Sequence, residues 1–345
     1  MRNSPPTPTN HRSLLDMKLA FILDPLEAIK PYKDSSYAMM EEAAGRGHEL
    51  IVLHQESILC RDSKVEARAW PITLTSDKHA WHRLGEPFQA PLSAFDVVVM
   101  RKDPPFDMEY VYSTYLLELA ASQGARIVNR PRGLRDYNEK FSVTQFQQFS
   151  VPTLVTRLEN EIRAFLDEQG DVVLKPLDGM GGASIFRLHR QDPNIGVVIE
   201  TLTHYGRRTV MAQRFIPEIV KGDKRILVID GKPAPYVLAR IPKPGETRGN
   251  LAVGGRGVAQ PISERDREIG EAVGAALLKD GLLLIGLDVI GDYLTEINVT
   301  SPTGMREIHD QTGFSVAAMM IDALERLVGR SQRKTSKGHP APRAE

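Results

Sequence analysis

The sequence has a single cysteine, Cys60, and no net charge, since 44 lysines and arginines balance 44 aspartates and glutamates. One thiol closes no internal disulfide and builds no thiolate metal cage, so the chain suits a reducing compartment, the cytoplasm, with Cys60 as a packing residue. The charge balance leaves no global field to hold nucleic acid or a membrane surface, and any anion binding must come from local clusters. An apolar run of export-signal length is also missing near the start. Met1 to Asp16 carries Pro5, Pro6 and Pro8 and reads as a flexible extension, with Met17 a second candidate start. No G-x-G-x-x-G follows the first apolar run, which argues against a nicotinamide dehydrogenase, and no G-x-x-x-x-G-K-[ST] occurs, which excludes a P-loop fold. The nine histidines form no H-x-x-x-H or triad-like set, and nothing recommends a serine or cysteine nucleophile.

What is present is ordinary globular composition, 41% hydrophobic and 26% charged over 345 residues. That length implies two or three subdomains sharing a large core, with room for a cleft between them. Lys18 to Asp24 and Glu49 to His54 are apolar strands around a helical Ser36 to Arg46. Phe95 to Arg101, Glu109 to Ser122 and Arg126 to Asn129 repeat the strand-helix-strand pattern, which predicts a small parallel sheet. Asn138 to Phe149 reads as a helix capped by Asn138 and opens a second region. There, short strands at 172–174, 184–188, 210–215, 225–230 and 235–241, with Asp-Gly turns at 178–179 and 230–231, predict antiparallel sheet. A helix at Glu264 to Lys279, a strand pair within Leu282 to Thr300 and a last helix at Val316 to Val328 follow, before a basic tail from Arg330 without helical period.

Four stretches carry candidate chemistry. In Gly286 to Asn298 (GLDVIGDYLTEIN), Glu296 and Asn298 share one strand face, and oxygen ligands without histidine or cysteine suit Mg²⁺ or Mn²⁺. Asp288 joins them only if the turn is irregular. A two-residue loop at Gly291-Asp292 pairs Asp288 with Thr295 and turns Glu296 away, so a shared metal requires an odd loop or a bulge. The stretch also fits an edge hairpin with solvated acids. Lys175, at the end of an apolar strand, runs into Gly179, Gly181 and Gly182, a turn that either cradles phosphate or only connects two strands. Arg240 to Gly257 spaces Arg248 and Arg256 among glycines and is either a lid over an anionic substrate or a solvated linker. Arg101 follows a parallel strand at the carboxyl edge, where open α/β sheets bind ligands. Lys140 as a surface helical lysine, and Asp223-Lys-Arg225 as a surface ion-pair cluster, are weaker signals.

In order, Asn138-Glu-Lys140, Leu174-Lys-Pro-Leu-Asp-Gly-Met-Gly-Gly-Ala-Ser184, Gly222-Asp-Lys-Arg225, Leu238 to Pro242, Gly245 to Leu251 and Glu296-Ile-Asn-Val-Thr-Ser-Pro302 resemble the bacterial glutathione synthetase family. Lys18 to Pro25, Lys33 to Ser36 and Met100 to Asp107 are similar to its N-terminal signatures, so the resemblance spans about residues 17–328. It implies an α/β (α+β) ATP-grasp fold. A Rossmann-like parallel-sheet domain at 17–136 would precede a central subdomain at 137–216 and a C-terminal antiparallel-sheet subdomain at 217–328 with a mobile loop at 241–257. Residues 1–16 and 329–345 would be disordered. The implied reaction joins γ-glutamylcysteine and glycine with ATP through an acyl phosphate. By resemblance Lys140, Lys175, Gly179, Gly181, Gly182 and Ser184 would contact ATP phosphates, and Gln213, Phe215 and Ile216 the adenine. Asp288, Glu296 and Asn298 would hold Mg²⁺, with Mn²⁺ an alternative. Arg225 and Arg240 would stabilise the transferring phosphoryl group, while Arg101, Arg248 and Thr303 would meet substrate. A homotetramer is implied as well.

Overall fold

The computed structural model describes residues 16–77, 80–178, 183–243 and 255–336, and counts below are of those residues. The expected N-terminal extension, the glycines at 179, 181 and 182, and Arg248 with most of its loop lie outside the described residues.

A seven-stranded sheet forms first, from β1 (Lys18–Leu23), β2 (Glu49–Arg61), β3 (Lys64–Leu74), β4 (His82–Leu84), β5 (Phe88–Pro91), β6 (Val97–Met100) and β7 (Ile127–Val128), in the order β4-β3-β2-β1-β6-β7 with β5 beside β3. β1 pairs in parallel with both β2 and β6, and burial on both faces explains its unbroken apolar run. α1 (Ser35–Gly45) starts where Asp34 Oδ1 accepts the Tyr37 N–H at 2.7 Å, and α2 (Met108–Ser122) where Asp107 does the same for Tyr110 at 3.0 Å. The sequence reading ends β2 at His54 and has no counterpart of β3. The two strands instead continue into a hairpin whose turn, Asp62-Ser63, takes positive φ at both residues, 48° and 60°, without the glycine that normally announces it.

After α3 (Pro131–Asp136) the expected helix over Asn138 to Phe149 is replaced by two short 3₁₀ turns, Phe141–Gln145 and Gln147–Phe149. Asn138 does cap, its Oδ1 accepting the N–H groups of Lys140 and Phe141 at 3.0 and 2.8 Å. The Asn138 carbonyl accepts the Ser142 N–H at 3.0 Å, but the Glu139 carbonyl accepts the distant Ile297 N–H at 2.8 Å, and no α-helical ladder follows. The four-stranded antiparallel sheet that follows, β8 (Thr153–Thr156), β9 (Asp171–Pro176), β10 (Phe186–His189) and β11 (Val210–Arg214), has the order β10-β9-β11-β8. Helices α4 (Glu159–Gln169) and α5 (Ile195–Thr203) cover it, closing a separate core around Ile162, Leu174 and Leu202.

The third sheet comprises β12 (Asp223–Ile229), β13 (Lys232–Pro233), β14 (Tyr236–Ile241), β15 (Arg256–Pro261), β16 (Leu284–Ile290) and β17 (Tyr293–Asn298), ordered β15-β14-β12-β16-β17 with β13 beside β12. Asp230 and Gly231, at φ 52° and 75°, make the expected Asp-Gly turn between β12 and β13. α6 (Glu264–Lys279), α7 (Met305–Thr312) and α8 (Val316–Ser336) complete the chain, and α8 runs helically past Arg330, where the sequence reading places an unstructured tail. Unlike the second sheet, this one does not close a core alone. Ile226 and Leu287 pack in one cluster with Ile22 and Met100 of the first sheet, and Val143, Phe146 and Phe149 join them. Buried Asn129 staples the two sheets, donating to the Leu284 and Val299 carbonyls at 2.7 and 2.8 Å and accepting from the Leu284 N–H.

α6 approaches β12 so closely that a Cβ at Gly274 would lie 2.7 Å from Val228 Cγ1 and 2.9 Å from the Gly231 carbonyl oxygen. Gly274→Ala should therefore lower stability by about 1–3 kcal/mol from overpacking, despite a helix-propensity gain of about 1 kcal/mol. Gly329→Ala in α8, where a Cβ meets nothing within 4 Å, should be neutral or stabilising. Urea unfolding of the two variants checks both signs.

Candidate active site

The hairpin β16–β17 turns tightly, Ile290 pairing with Tyr293 and Val289 with Leu294. Carried on regularly, that register would set Asp288 opposite Thr295. Instead the register shifts between Asp288 and Val289, Thr295 becomes the extra residue of a bulge, and Asp288 pairs with Glu296. The bulge is the irregularity that a shared site requires. Thr295 Oγ1 donates to the Asp288 carbonyl at 3.0 Å, and the Thr295 carbonyl accepts from Lys175 Nζ at 3.3 Å. Two residues on, Asn298 Nδ2 lies 3.4 Å from Asp288 Oδ2. One sheet face thus carries Asp288, Glu296 and Asn298.

Cross-strand register adds the cations. Arg225 pairs with Asp288 across β12 and β16, and Asp223 with Arg240 across β12 and β14. Strand alternation sends Lys224 to the opposite face, where it bonds buried Asp266 at 2.5 Å. The 223–225 cluster is therefore an interior arrangement and not a surface one. Arg225 holds both Asp288 oxygens, at 2.5 and 3.0 Å, and Arg240 Nη2 reaches Asp288 Oδ2 at 2.8 Å and also bonds Asp223 Oδ2. Gly286 makes the space, since a Cβ there would lie 3.1 Å from Arg225 Cδ. Lys140 and Lys175 each place Nζ 3.7 Å from Glu296 Oε1. Lys140 is interior, at 2% exposure, and so differs from the surface helical lysine its local sequence suggests.

Asp288, Asp223 and Lys175 are displaced from their ordinary titration ranges. Burial works to raise the Asp288 carboxyl, but the two guanidiniums outweigh it and hold it well below the usual range. Burial pushes Asp223 up to about 6 against the pull of Arg240, and its Oδ1 has no hydrogen-bond partner. Burial lowers the Lys175 ammonium, Glu296 opposing and Lys140 adding to the shift. Two carboxylates and an amide, all oxygen donors, suit a magnesium ion that keeps waters and phosphate in its remaining positions. No closed cage competes with that reading, for among the described residues no three His, Cys, Asp or Glu side chains converge as a metal site.

All of this lines a cavity of about 530 Å³ between the second and third sheets and the loops of the first. At one end Val173, Ile185, Phe215, Ile216 and Ile290 form an apolar slot beside Gln213, with the Arg187 guanidinium 3.6 Å over the Phe215 ring. Such a slot accepts a flat heterocycle. Ser184 is exposed between lining residues Ala183 and Ile185, and Thr303 lines the far end. Arg101 stands apart from the other expected residues. It is buried behind the wall, donating to Ser36 Oγ at 2.9 Å and to the Pro302 carbonyl at 3.1 Å, with Nη1 unpartnered. The sequence reading assigns nothing to Glu139, Asp34, Asp103 or Glu307, all of which line the cavity. Glu139 lies beside Lys140, and Asp34 and Asp103 fall within the signature stretches 33–36 and 100–107, whereas Glu307 had no local signal.

The family model of the prokaryotic glutathione synthetase ATP-grasp domain matches residues 139–313, and that of the prokaryotic glutathione synthetase N-terminal domain matches residues 17–135. The chain is 63% identical over 320 residues to a glutathione synthetase of Nitrosomonas europaea, covering 92% of this chain and all of that protein. It is 58% identical over 315 residues to one of Ralstonia nicotianae, covering 91% and 97%. Among solved structures it resembles the D-cycloserine synthetase DcsG, with TM-score 0.63 and 17% identity over 90% of this chain and 99% of that one. The ATP-grasp ligase PsnB, complexed with a phosphomimetic variant of its minimal precursor, Mg and ADP, matches with TM-score 0.58 and 19% identity over 90% and 98%. The fold is ATP-grasp, of α/β class.

Glu139 supplies a pH test. Burial pushes its carboxyl from 4.5 up to about 7; Glu296 and Asp288 add to the shift, while Lys140 and Arg225 oppose it. A carboxyl raised in the folded state binds its proton more tightly there than in the unfolded chain, so its contribution is full below pH 4.5 and is lost as pH rises through about 7. Glu139→Gln should therefore lose less stability between pH 5 and 8 than the parent protein, read from urea midpoints. Asp223 acts in the same direction but stays in both proteins, so the difference isolates Glu139.

Proposed function

The chain belongs to the prokaryotic glutathione synthetase family, and from that membership we propose that it joins γ-glutamylcysteine to glycine, converting ATP to ADP and phosphate. The observation that carries this reading to the site is the paired network in one cavity, Arg225–Asp288–Arg240 beside Lys140–Glu296–Lys175. The apolar slot around Phe215 takes the adenine, which sets the phosphates toward the two lysines, and Ser184 with the glycines at 179, 181 and 182 would contact them. The cysteinyl carboxylate of the dipeptide attacks the γ-phosphorus, releasing ADP and leaving an acyl phosphate. The amine of glycine then attacks the acyl carbon, and phosphate leaves. Neither step needs a protein nucleophile, because both build charge on oxygens that fixed cations meet.

Arg225 and Arg240 would meet that charge, and their burial leaves each guanidinium in a poorly screened medium. Asp288, Glu296 and Asn298 would hold Mg²⁺, as their oxygen-only chemistry fits, and the ion would neutralise phosphate charge. Mn²⁺ fits the same donors. Arg248 and its loop at 241–257 would exclude water from the acyl phosphate. Arg101 supports the substrate wall through Pro302, next to Thr303. The units at 17–136, 137–216 and 217–328, a homotetramer and a cytoplasmic setting complete the proposal. No helix among the described residues is long and apolar enough to cross a membrane.

The direct test is ADP release with Mg²⁺ and γ-glutamylcysteine, with and without glycine. Glycine-dependent ADP and glutathione are expected in equal amounts, and no ADP with both substrates present overturns the assignment. Glu296→Gln should lower turnover by roughly 100-fold or more and raise the Mg²⁺ concentration needed for half-maximal rate, while the melting temperature moves by only a few degrees. Unchanged turnover at limiting Mg²⁺ would remove Glu296 from the metal set.

A further inference from the structure

Thr153 of β8 and Gln213 of β11 are direct cross-strand partners, and Val173 of β9 pairs with Gln213 from the other side. Strand alternation puts this row on the face toward the cavity, while Leu154, Ala212 and Leu174 turn into the core of the second sheet. Gln213 is 4% exposed and lines the slot, whereas Thr153 stands behind it, outside the cavity lining. The Thr153 hydroxyl has one proton, and it goes to the Val151 carbonyl at 2.8 Å. Toward Gln213 the same oxygen can only accept, so the amide nitrogen must face it, and Gln213 Nε2 donates to Thr153 Oγ1 at 3.1 Å. Gln213 Oε1 takes no donor from the described residues and is not sealed in the interior. The slot therefore holds one fixed, open acceptor.

We propose that Thr153 is a positioning residue for nucleotide selectivity: it holds the Gln213 amide with its oxygen toward the slot, so that the slot takes a 6-amino purine and refuses a 6-oxo purine. This rests on the reading of the slot around Phe215 as the adenine site. Adenine presents an amino donor where guanine presents an oxygen acceptor. A fixed carbonyl oxygen accepts from the first and meets the second lone pair to lone pair. An amide free to turn over would present its NH2 group instead and serve guanine as well. Turning Gln213 over would set its oxygen against Thr153 Oγ1, two acceptors with no proton between them. Rotating the hydroxyl to supply that proton would take from the Val151 carbonyl the donor it has here. Either change loses a hydrogen bond, so the orientation of one buried amide is fixed from outside the site.

The ratio of kcat/KM for ATP to that for GTP, with γ-glutamylcysteine and glycine saturating, reads the orientation directly. The parent enzyme should prefer ATP by roughly 10- to 100-fold, the size expected of one well-placed contact to a base edge. Purine riboside triphosphate, which carries only hydrogen at the same ring carbon, should fall on the order of 10-fold below ATP. Thr153→Val keeps the β-branched shape and removes the acceptor, and its ATP to GTP ratio should drop about tenfold, through a loss on ATP and a gain on GTP. Thr153→Ser keeps the hydroxyl and should hold the ratio within about threefold of the parent. A merely structural role would lower ATP and GTP together in Thr153→Val and leave the ratio where it was, and that result overturns the proposal. So would a parent enzyme that uses purine riboside triphosphate as well as ATP, a measurement that needs no variant to fold. If Gln213→Ala also left the ratio unchanged, adenine would not sit in this slot and the underlying reading would fail. A ratio that falls in Gln213→Ala but not in Thr153→Val overturns the role of Thr153 alone.

Discussion

Asp288 sits at 3% exposure between two guanidiniums, and most of the architecture around it follows from the cost of burying that group. A carboxylate out of water is expensive unless its oxygens are bonded and its charge balanced. Arg225 and Arg240 do both, but each then needs its own balance, which draws in Asp223. The same demand recurs beside it, where Lys140 and Lys175 converge on Glu296. Removing Arg225 or Arg240 leaves Asp288 short of a partner, with a penalty of about 3–5 kcal/mol typical of broken buried pairs. A sequence selected for stability alone would fill such a space with apolar side chains. Keeping eight ionisable groups there, Glu139 among them, makes sense for handling phosphate, where fixed charges lower the energy of a forming oxyanion.

The network can assemble because the three sheets meet in one place. Sheets one and three share a hydrophobic core and are pinned by Asn129 and by the Arg101 bonds to Ser36 and Pro302. The second sheet keeps its own small core and contributes Lys175 and the slot around Phe215. Lys140 arrives on the segment that the Glu139 carbonyl ties to β17. That backbone bond ties the 3₁₀ segment to the strand and holds the lysine near Glu296. The Arg101 bonds to Ser36 and Pro302 also brace the cavity wall next to Thr303.

The sequence by itself determined much of this protein. Apolar runs located β1, β6 and the helices α1, α2 and α6 to within a residue or two, because burial and periodicity are local signals. Asp-Gly marked the β12–β13 turn, and spacing placed Glu296 and Asn298 on one face. The hairpin β2–β3 was illegible, since its Asp62-Ser63 turn uses positive φ without glycine. Only tertiary structure decided the rest. The Thr295 bulge was one of two possibilities until the register of β16 with β17 fixed it, and that register depends on partners rather than on the strand. The burial of Lys140, the place of Arg101 behind the wall and the arrival of Glu139 and Glu307 in the cavity involve residues far apart in the chain. Charges brought together by packing across such separations leave no local pattern, which is why the spacing of Glu296 and Asn298 was readable and the burial of the lysines and arginines around them was not.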